Sequence, residues 1–249
     1  MKKVYNIVDQ KILIDTDFDY KMDDAYNSFL ECDNNYDVKY KFNKINELEN
    51  NLFLESKKLH SKNLIQIYDN KNGYLRLYLN LSQQEPYGYL KEEKSDNKEY
   101  NVYIDLNKNV DVNTFKIFEM IGLESYFCKK NIFILHSSYI KWNDCAILFS
   151  GPSGMGKSTQ ADLWNKYEGC EIINGDRSAI TKKDGIWNAY GLPFAGSSRI
   201  YKNVKNPIKC VVVLKQAKNN NIRKLGPLEA FKYIYSQTTV NDWNKEYIN

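Results

Sequence analysis

The chain has 249 residues, of which 43% are hydrophobic and 14% aromatic, enough apolar material to bury one or two sizeable cores. Its 35 basic and 31 acidic residues leave a net charge of +4 and are mixed along the chain, which does not indicate a nucleic-acid partner. No apolar run approaches the ~20 residues that cross a bilayer, and the first ten residues lack the apolar stretch of a signal peptide. We therefore expect a globular, cytoplasmic protein without a membrane partner.

The first 127 residues predict a β-rich α+β domain. The stretches KILIDTDF, YDVKYKFNKI and KEYNVYIDLN alternate apolar and polar residues, and NLIQIYDNKNGYLRLYLNL holds two such runs around an Asn-Gly turn, so we expect an antiparallel sheet. In NTFKIFEMIGLESYF, Phe115, Phe118 and Ile121 lie near helical spacing and predict one closing helix. The polar stretch from Lys91 to Tyr100 predicts a solvated loop.

Residues 128–249 predict an α/β domain with a mixed sheet. Asn143-Asp144 and Asp184-Gly185 are typical two-residue hairpin turns, and the first leads into the apolar strand Cys145 to Phe149. The stretch IKCVVVLKQ predicts a buried strand. GPLEAFKYIYSQ predicts a helix that begins at Pro227 and packs its apolar face against the core.

The five cysteines are odd in number, scattered, and contain no C-x-x-C pair. This pattern predicts reduced, mostly buried thiols rather than a zinc or redox site.

A glycine-rich stretch, FSGPSGMGKSTQADLW, follows the strand that ends at Phe149 and precedes a helix-like run. Gly151, followed four residues later by Gly156-Lys157-Ser158, fits G-x-x-x-x-G-K-[ST], the phosphate-binding P-loop. Glycines let the backbone approach phosphate oxygens, the lysine reaches the β- and γ-phosphates, and the serine hydroxyl binds Mg²⁺. A chance match has odds on the order of one per cent at average composition. We expect nucleotide phosphates and Mg²⁺ here, with Lys157 in a solvated loop.

The candidate nucleotide-binding residues come from this loop and from two arginines that follow it. They are Gly151, Ser153, Gly154, Met155, Gly156, Lys157, Ser158, Thr159, Arg177 and Arg199. The two arginines are each equally well explained as ordinary surface charges or turn residues.

An acidic residue follows the next predicted strand, in GCEIINGDR. Asp176 is placed just past the strand's carboxyl end, where ligands bind in open α/β sheets, and is the candidate base and, with Ser158, metal ligand. The alternative is an Asx turn that makes a corner at Gly175-Asp176. His136 is predicted on an antiparallel neighbour of the strand before the loop, where it could face phosphates, or it is a structural histidine.

Together LHSSYIKWNDCAILFSGPSGMGKSTQADLW, INGDR and YGLPFAGSS resemble the HPr kinase/phosphorylase-like P-loop proteins, a group related in fold to phosphoenolpyruvate carboxykinase and similar to proteins that accompany peptide-modification systems. The resemblance covers Ile134 to about Asn203. It implies a kinase that transfers the γ-phosphate of ATP to a hydroxyl, commonly of serine, in a protein or peptide. In that family a strand that carries a histidine precedes the P-loop, as His136 does here, and an acidic pair after the next strand supplies the base and a metal contact.

Two departures from the family pattern bear on activity. Closer members have Asp-Asp-Arg where this chain has Gly175-Asp176-Arg177, so Asp176 and Lys157, with His136 as a further candidate, are the catalytic residues. The alternative is an ATP-binding, catalytically weak or inactive module that binds a peptide or partner. Family members also continue beyond a helix such as LEAFKYIYSQTTV, whereas this sequence stops at Asn249. The acceptor and the oligomeric state, a homo-oligomer included, stay open at this level.

Overall fold

A computed structural model of the chain describes residues 1–62, 64–81, 84–93, 98–108, 110–194 and 196–244. Residues 94–97 of the expected solvated loop and residues 245–249 of the expected second domain lie outside the described residues. The chain divides into two compact units, one formed by Met1–Leu123 with a segment that begins at Asp242, the other containing Glu124–Asn241. In these described ranges no helix has the length and apolar character needed to cross a membrane.

The first unit is built on one β-sheet with short helices. Its strands are β1 (Lys2–Ile7), β2 (Gln10–Thr16), β3 (Leu30–Glu31), β4 (Val38–Ile45), β5 (Lys57–Lys62), β6 (Ile65–Asn70), β7 (Gly73–Leu79), β8 (Pro86–Glu93) and β9 (Glu99–Asp105). Its α-helices are α1 (Asn50–Leu54) and α2 (Thr114–Glu119), and its 3-10 helices are Asp24–Phe29 and Leu106–Lys108. The next helix, α3 (Leu123–Lys129), begins at the last residue of Met1–Leu123 and otherwise belongs to the second unit. The strand order is β3-β1-β2-β4-β9-β8-β7-β6-β5.

This sheet is mixed rather than antiparallel, which corrects the expectation from the sequence. Strand β4 runs parallel to both of its neighbours, β2 and β9. The reason lies in the connections: β5 to β8 intervene between β4 and β9 along the chain, and a long intervening segment allows parallel neighbours, whereas a tight turn enforces antiparallel ones.

The single helix expected over NTFKIFEMIGLESYF is two helices, α2 and α3. Gly122, between them, has φ of +55°, a left-handed conformation that a helix cannot continue through. A Cβ at Gly122 would lie 2.7 Å from Glu92 Oε1. Asn113 begins α2 by accepting a hydrogen bond from Lys116 N at 3.0 Å, a normal N-cap.

The second unit is also built on a mixed sheet. Its strands are β10 (Phe133–Trp142), β11 (Cys145–Ser150), β12 (Glu171–Asn174), β13 (Arg177–Lys183), β14 (Ile186–Gly191) and β15 (Lys205–Val213). Besides α3, its helices are α4 (Lys157–Glu168), α5 (Pro227–Gln237) and the 3-10 helix Gly196–Ser198. The order is β11-β15-β14-β13-β10-β12, and β10 also pairs with β11. Only the β11–β15 pair among these described pairings is parallel, so the predicted mixed sheet is confirmed.

Both predicted hairpin turns of this unit are confirmed. Asn143 and Asp144 have φ of +47° and +57° between β10 and β11, and Asp184 has φ of +51° between β13 and β14. Asparagine and aspartate tolerate this left-handed backbone because their short polar side chains bond locally. The first turn joins β10 to β11, the strand that leads into the glycine-rich loop, and the second joins β13 to β14.

Three burial expectations for this chain are wrong. Strand β15 is mostly exposed or half-buried rather than buried, and the apolar face of α5 is largely exposed, with only Ile234 packed against the core. The five cysteines are free as expected, but Cys170 alone is buried. Sequence patterns show which face of an element is apolar, but not whether another element covers that face.

Candidate functional site

The glycine-rich loop connects the end of β11 to the start of α4. Gly154 and Gly156 have φ of +81° and +91°, conformations in which a side chain would be strained. Gly156 is the N-cap residue of α4 and provides no side-chain cap. The first N–H groups of a helix have no partner within the helix, and a helix N-terminus favours an anion. The start of α4 therefore favours an anion at this loop.

Lys157 is buried, with 8% of its surface exposed, which corrects the expectation of a solvated residue. Its Nζ donates hydrogen bonds to Gly151 O at 2.9 Å and to Pro152 O at 3.2 Å. The ammonium group therefore connects the end of the loop to its beginning. Burial lowers the pKa of Lys157, and the negative charge of Asp176 opposes that shift. An ammonium group has three donors, so these two bonds leave one for a phosphate oxygen.

The other loop side chains are more accessible. Ser153, Ser158 and Thr159 are exposed and Met155 is half-buried. Gln216 Nε2 donates to Gly154 O at 3.3 Å, and Leu214 N donates to Ser150 O at 2.8 Å. The chain that leaves β15 therefore borders the loop on one side.

The corner that carries Asp176 is organised by Asn174, a residue that the sequence reasoning missed. Asn174 is fully buried, and its Oδ1 accepts hydrogen bonds from Asp176 N and Arg177 N, both at 2.9 Å. Its Nδ2 donates to Leu192 O at 2.9 Å and Phe194 O at 2.8 Å. The turn expected at this corner exists, but its acceptor is Asn174, and the Asp176 carboxylate is left for other partners.

Those partners are His136 and Arg177. Asp176 Oδ1 lies 3.4 Å from His136 Nε2 and Oδ2 accepts from Arg177 Nε at 3.2 Å. The hydrogen bond with His136 is the main cause that holds the pKa of Asp176 below its usual value; burial opposes it and the charge of Arg177 assists. Asp176 is therefore ionised at neutral pH.

Strand β10 brings the loop and this corner together. His136 lies opposite Arg177 in the β10–β13 pair, and the next residue, Ser137, lies opposite Ser150 at the end of β11. Ser150 Oγ donates to His136 O at 3.0 Å. His136 thus occupies the predicted antiparallel neighbour, and the sheet places it beside both the last residue before the loop and the Asp176 corner.

A second segment covers the corner. A Cβ at Gly196 would lie 3.0 Å from Asp176 Cγ, and a Cβ at Gly175 would lie 2.1 Å from Ser198 Oγ, so the 3-10 helix packs directly on both residues. Arg199, next in the chain, has φ of +52° and is exposed. Among the described residues no hydrogen bond or ion pair joins Arg199 to the loop or to Asp176, whereas Arg177 bonds Asp176. In the sequence, the order Asn174-Gly175-Asp176 at the end of β12 was the only local pattern that indicated the corner organised by Asn174.

A metal ion at this site would need ligands beyond the side chains present, such as the phosphates of a nucleotide that binds together with the metal. No group of three or more His, Cys, Asp or Glu residues suited to hold a metal ion exists within the described ranges. Mg²⁺ commonly binds through one or two carboxylates together with substrate phosphates and waters. The hydroxyl of Ser158 and the ionised Asp176 fit that set, and they do not form a metal site by themselves.

Comparison with known proteins gives no match to a protein family, and the structural similarity described below is weak. No family model matches the chain, and no curated protein matches it. Among solved structures, the Hpr(Ser) kinase/phosphatase from Coxiella burnetii is similar with 11% sequence identity and a TM-score of 0.28. The similar region covers 38% of this chain and 66% of that chain. A similarity of this size assigns neither a fold nor an activity to this chain.

Proposed function

We propose that this protein is an ATP-dependent phosphotransferase that transfers the γ-phosphate of ATP to a hydroxyl, that of a serine, in a protein or peptide. The observation that supports it is the joining of two parts by β10: a glycine-rich loop that ends in a buried lysine, and an ionised aspartate beside a histidine. The charge of Asp176 acts on Lys157, so the two parts lie within electrostatic reach. A kinase needs both, one to hold phosphates and one to receive the acceptor's proton.

In this proposal each group has one task. The loop backbone and Lys157 hold the β- and γ-phosphates, while Ser158 and Asp176 contact the Mg²⁺ that accompanies ATP. Bound MgATP supplies the phosphoryl group. Asp176 orients the acceptor hydroxyl and receives its proton, and His136, 3.4 Å from the carboxylate, orients that carboxylate. Arg177 steadies the negative charge at the corner.

Isothermal titration with MgATP and transfer of labelled γ-phosphate to serine-containing peptides test the proposal on the full chain. Lys157→Met keeps the buried stem and removes the ammonium group, so we expect ATP binding to weaken by about tenfold or more and transfer to disappear. Lys166→Met, an exposed residue of the same helix, is the matched control and should behave as wild type. Equal labelling by wild type and Lys157→Met would show that the kinase proposal is wrong.

Asp176→Asn separates binding from chemistry. The amide preserves the shape of the carboxylate and removes its charge, so ATP binding should persist while transfer falls by about 10²–10⁴-fold. Normal transfer by Asp176→Asn would place the base elsewhere.

A second candidate function is an ATP-binding module that binds a peptide and transfers no phosphate. The packing at Gly175 favours it, because Ser198 fills the space that the first acid of the family's pair would need. Tight ATP binding without hydrolysis or transfer to any peptide would decide for this module.

A further inference from the structure

One long stretch of the second unit is acid-free. From Gly185 to Leu228 the sequence contains eight basic residues and no aspartate or glutamate; we call these 44 residues the basic segment. Its basic residues are Arg199, Lys202, Lys205, Lys209, Lys215, Lys218, Arg223 and Lys224. Because the whole chain has 35 basic and 31 acidic residues, the remainder of the chain is net acidic. Apart from the adjacent Arg223 and Lys224, the basic residues are spaced apart, so the asymmetry is not visible as a long run of like charges.

Most of this positive charge is not neutralised within the chain. Lys202 pairs with Glu171 at 2.7 Å, and Arg223 donates to Glu229 at 2.8 Å. Among the described residues no carboxylate lies within ion-pair distance of five further basic side chains, although the charge of Lys215 acts on Glu229. These five are exposed: Arg199, Lys209, Lys215, Lys218 and Lys224. These side chains are available to an anionic partner.

The basic segment contacts the candidate site at three points. Its 3-10 helix packs on Asp176 through Gly196, Leu214 N donates to Ser150 O, and Gln216 Nε2 donates to Gly154 O. Arg199 directly follows the first of these contacts, and Lys215 lies between the other two. The free positive charge therefore begins beside the groups proposed to hold phosphate and acceptor.

Exposed apolar side chains accompany these charges. Ile222 is 86% exposed, and Leu228 and Phe231 on α5 are 68% and 64% exposed. After α5, Thr238 bridges to Leu135, the neighbour of His136 on β10. Large exposed apolar residues indicate an interaction surface. The ring of Phe231 could stack on a nucleic-acid base, whereas the aliphatic Ile222 and Leu228 provide no ring face. Because aliphatic side chains make up part of this surface, it favours a peptide that carries apolar residues.

We propose that the acceptor is an acidic peptide segment that also carries apolar residues, and that it docks on the basic segment and the exposed face of α5. This inference rests on the proposed phosphotransferase function. Carboxylates of the peptide would approach Arg199, Lys215 and Lys218, which steers the acceptor hydroxyl toward Asp176 and makes association dependent on salt.

Fluorescence anisotropy with the full chain tests the docking without any catalytic readout. The probe is a fluorescein-labelled peptide of glutamate, serine and leucine, compared with a peptide in which each glutamate is replaced by glutamine. We expect the glutamate peptide to bind about tenfold more tightly at low salt, and added salt to remove most of the difference. Equal binding of the two peptides would overturn the inference. So would tighter binding of oligothymidylate or of phosphatidylserine vesicles than of the glutamate peptide.

Charge reversal locates the docking surface. The double variant K215E/K218E should bind the glutamate peptide about tenfold more weakly. The matched control K166E/K182E changes the net charge equally at exposed positions on α4 and β13 and should bind within about twofold of wild type. Equal losses in the two variants would overturn the inference, because only net charge would then matter.

Phosphate transfer separates this inference from the proposed function. Transfer to glutamate and glutamine peptides at the same rate would support the phosphotransferase and overturn the acidic acceptor. Preferential binding of the glutamate peptide without ATP binding would refute the phosphotransferase and retain the docking surface.

Discussion

Ser198 fills the space beside Gly175 that the side chain of any other residue at position 175 would need. A Cβ at Gly175 would lie 2.1 Å from Ser198 Oγ and 2.5 Å from Ser198 Cβ. The restriction is steric, since the φ of Gly175 is outside the left-handed region. The position where the resembled family carries its first acid is thus occupied by the side chain of a neighbouring segment.

Gly175→Asp, the change that would recreate the acidic pair, is therefore expected to destabilise the protein. We expect the free energy of unfolding to fall by about 1–3 kcal/mol, the usual range for overpacking, as measured by urea unfolding. Gly226→Ala is the matched control, because its Cβ would have nothing within 4 Å, and it should change stability by less than about 0.5 kcal/mol. Adding Ser198→Gly should recover part of the loss; a Gly175→Asp protein with wild-type stability would contradict the packing described.

Asn174→Ala tests the residue that builds the corner. The substitution removes two acceptor and two donor interactions at a fully buried position, so we expect a loss of about 2–4 kcal/mol in unfolding free energy. ATP-dependent transfer should fall as Asp176 loses its position. Asn165→Ala removes one bond, to Cys170 O, at an exposed residue and should lose less than about 1 kcal/mol. Similar losses in the two variants would mean that Asn174 is an ordinary turn residue.

The pairing of Asp176 with His136 predicts a pH dependence. Because the pKa of Asp176 in the folded chain is below its ordinary value of 3.8, its ionised form stabilises the fold. That stabilisation is complete above the ordinary pKa and is lost as pH falls through the lower folded pKa. His136→Phe removes the main cause, and the pKa of Asp176 should rise, which moves the loss of stability to higher pH.

Titration of the Asp176 carboxyl carbon by NMR measures this shift. His60→Phe is the control, since His60 lies 3.4 Å from Asp242 Oδ1 in the other unit. An unchanged Asp176 pKa in His136→Phe would show that Arg177 and the backbone hold the carboxylate ionised.

Two apolar residues of helix α5 differ in burial and allow a paired test of how the helix packs. Ile234 packs against the core cluster of the second unit, whereas Phe231 is largely exposed. We expect Ile234→Ala to lower the free energy of unfolding by about 1–2 kcal/mol, less than full burial would give, and Phe231→Ala by less than about 0.5 kcal/mol. Thermal or urea unfolding distinguishes them; a larger loss at Phe231 would mean that this face is covered in solution.

The sequence by itself determined the features that depend on neighbouring residues. Asn143-Asp144 and Asp184-Gly185 form hairpin turns because these residues adopt positive φ at little cost, and α4 ends at Gly169 for the same local reason. The spacing of Gly151, Gly156 and Lys157 likewise placed a glycine-rich loop between a strand and a helix. His136 was expected one strand from that loop because a two-residue turn allows no other neighbour.

Only the tertiary structure determined which other segments each helix, strand or loop packs against. The parallel pairing of β4, the burial of Lys157 and the exposure of α5 depend on segments distant in sequence. The hydrophobic pattern of an element does not identify the segment that packs against it. At the candidate site, Asn174 reaches the carbonyls of Leu192 and Phe194, and Ser198 sets the size of residue 175. These contacts join residues 18 to 23 positions apart, so their energies arise from the packing of loops that local propensity does not describe.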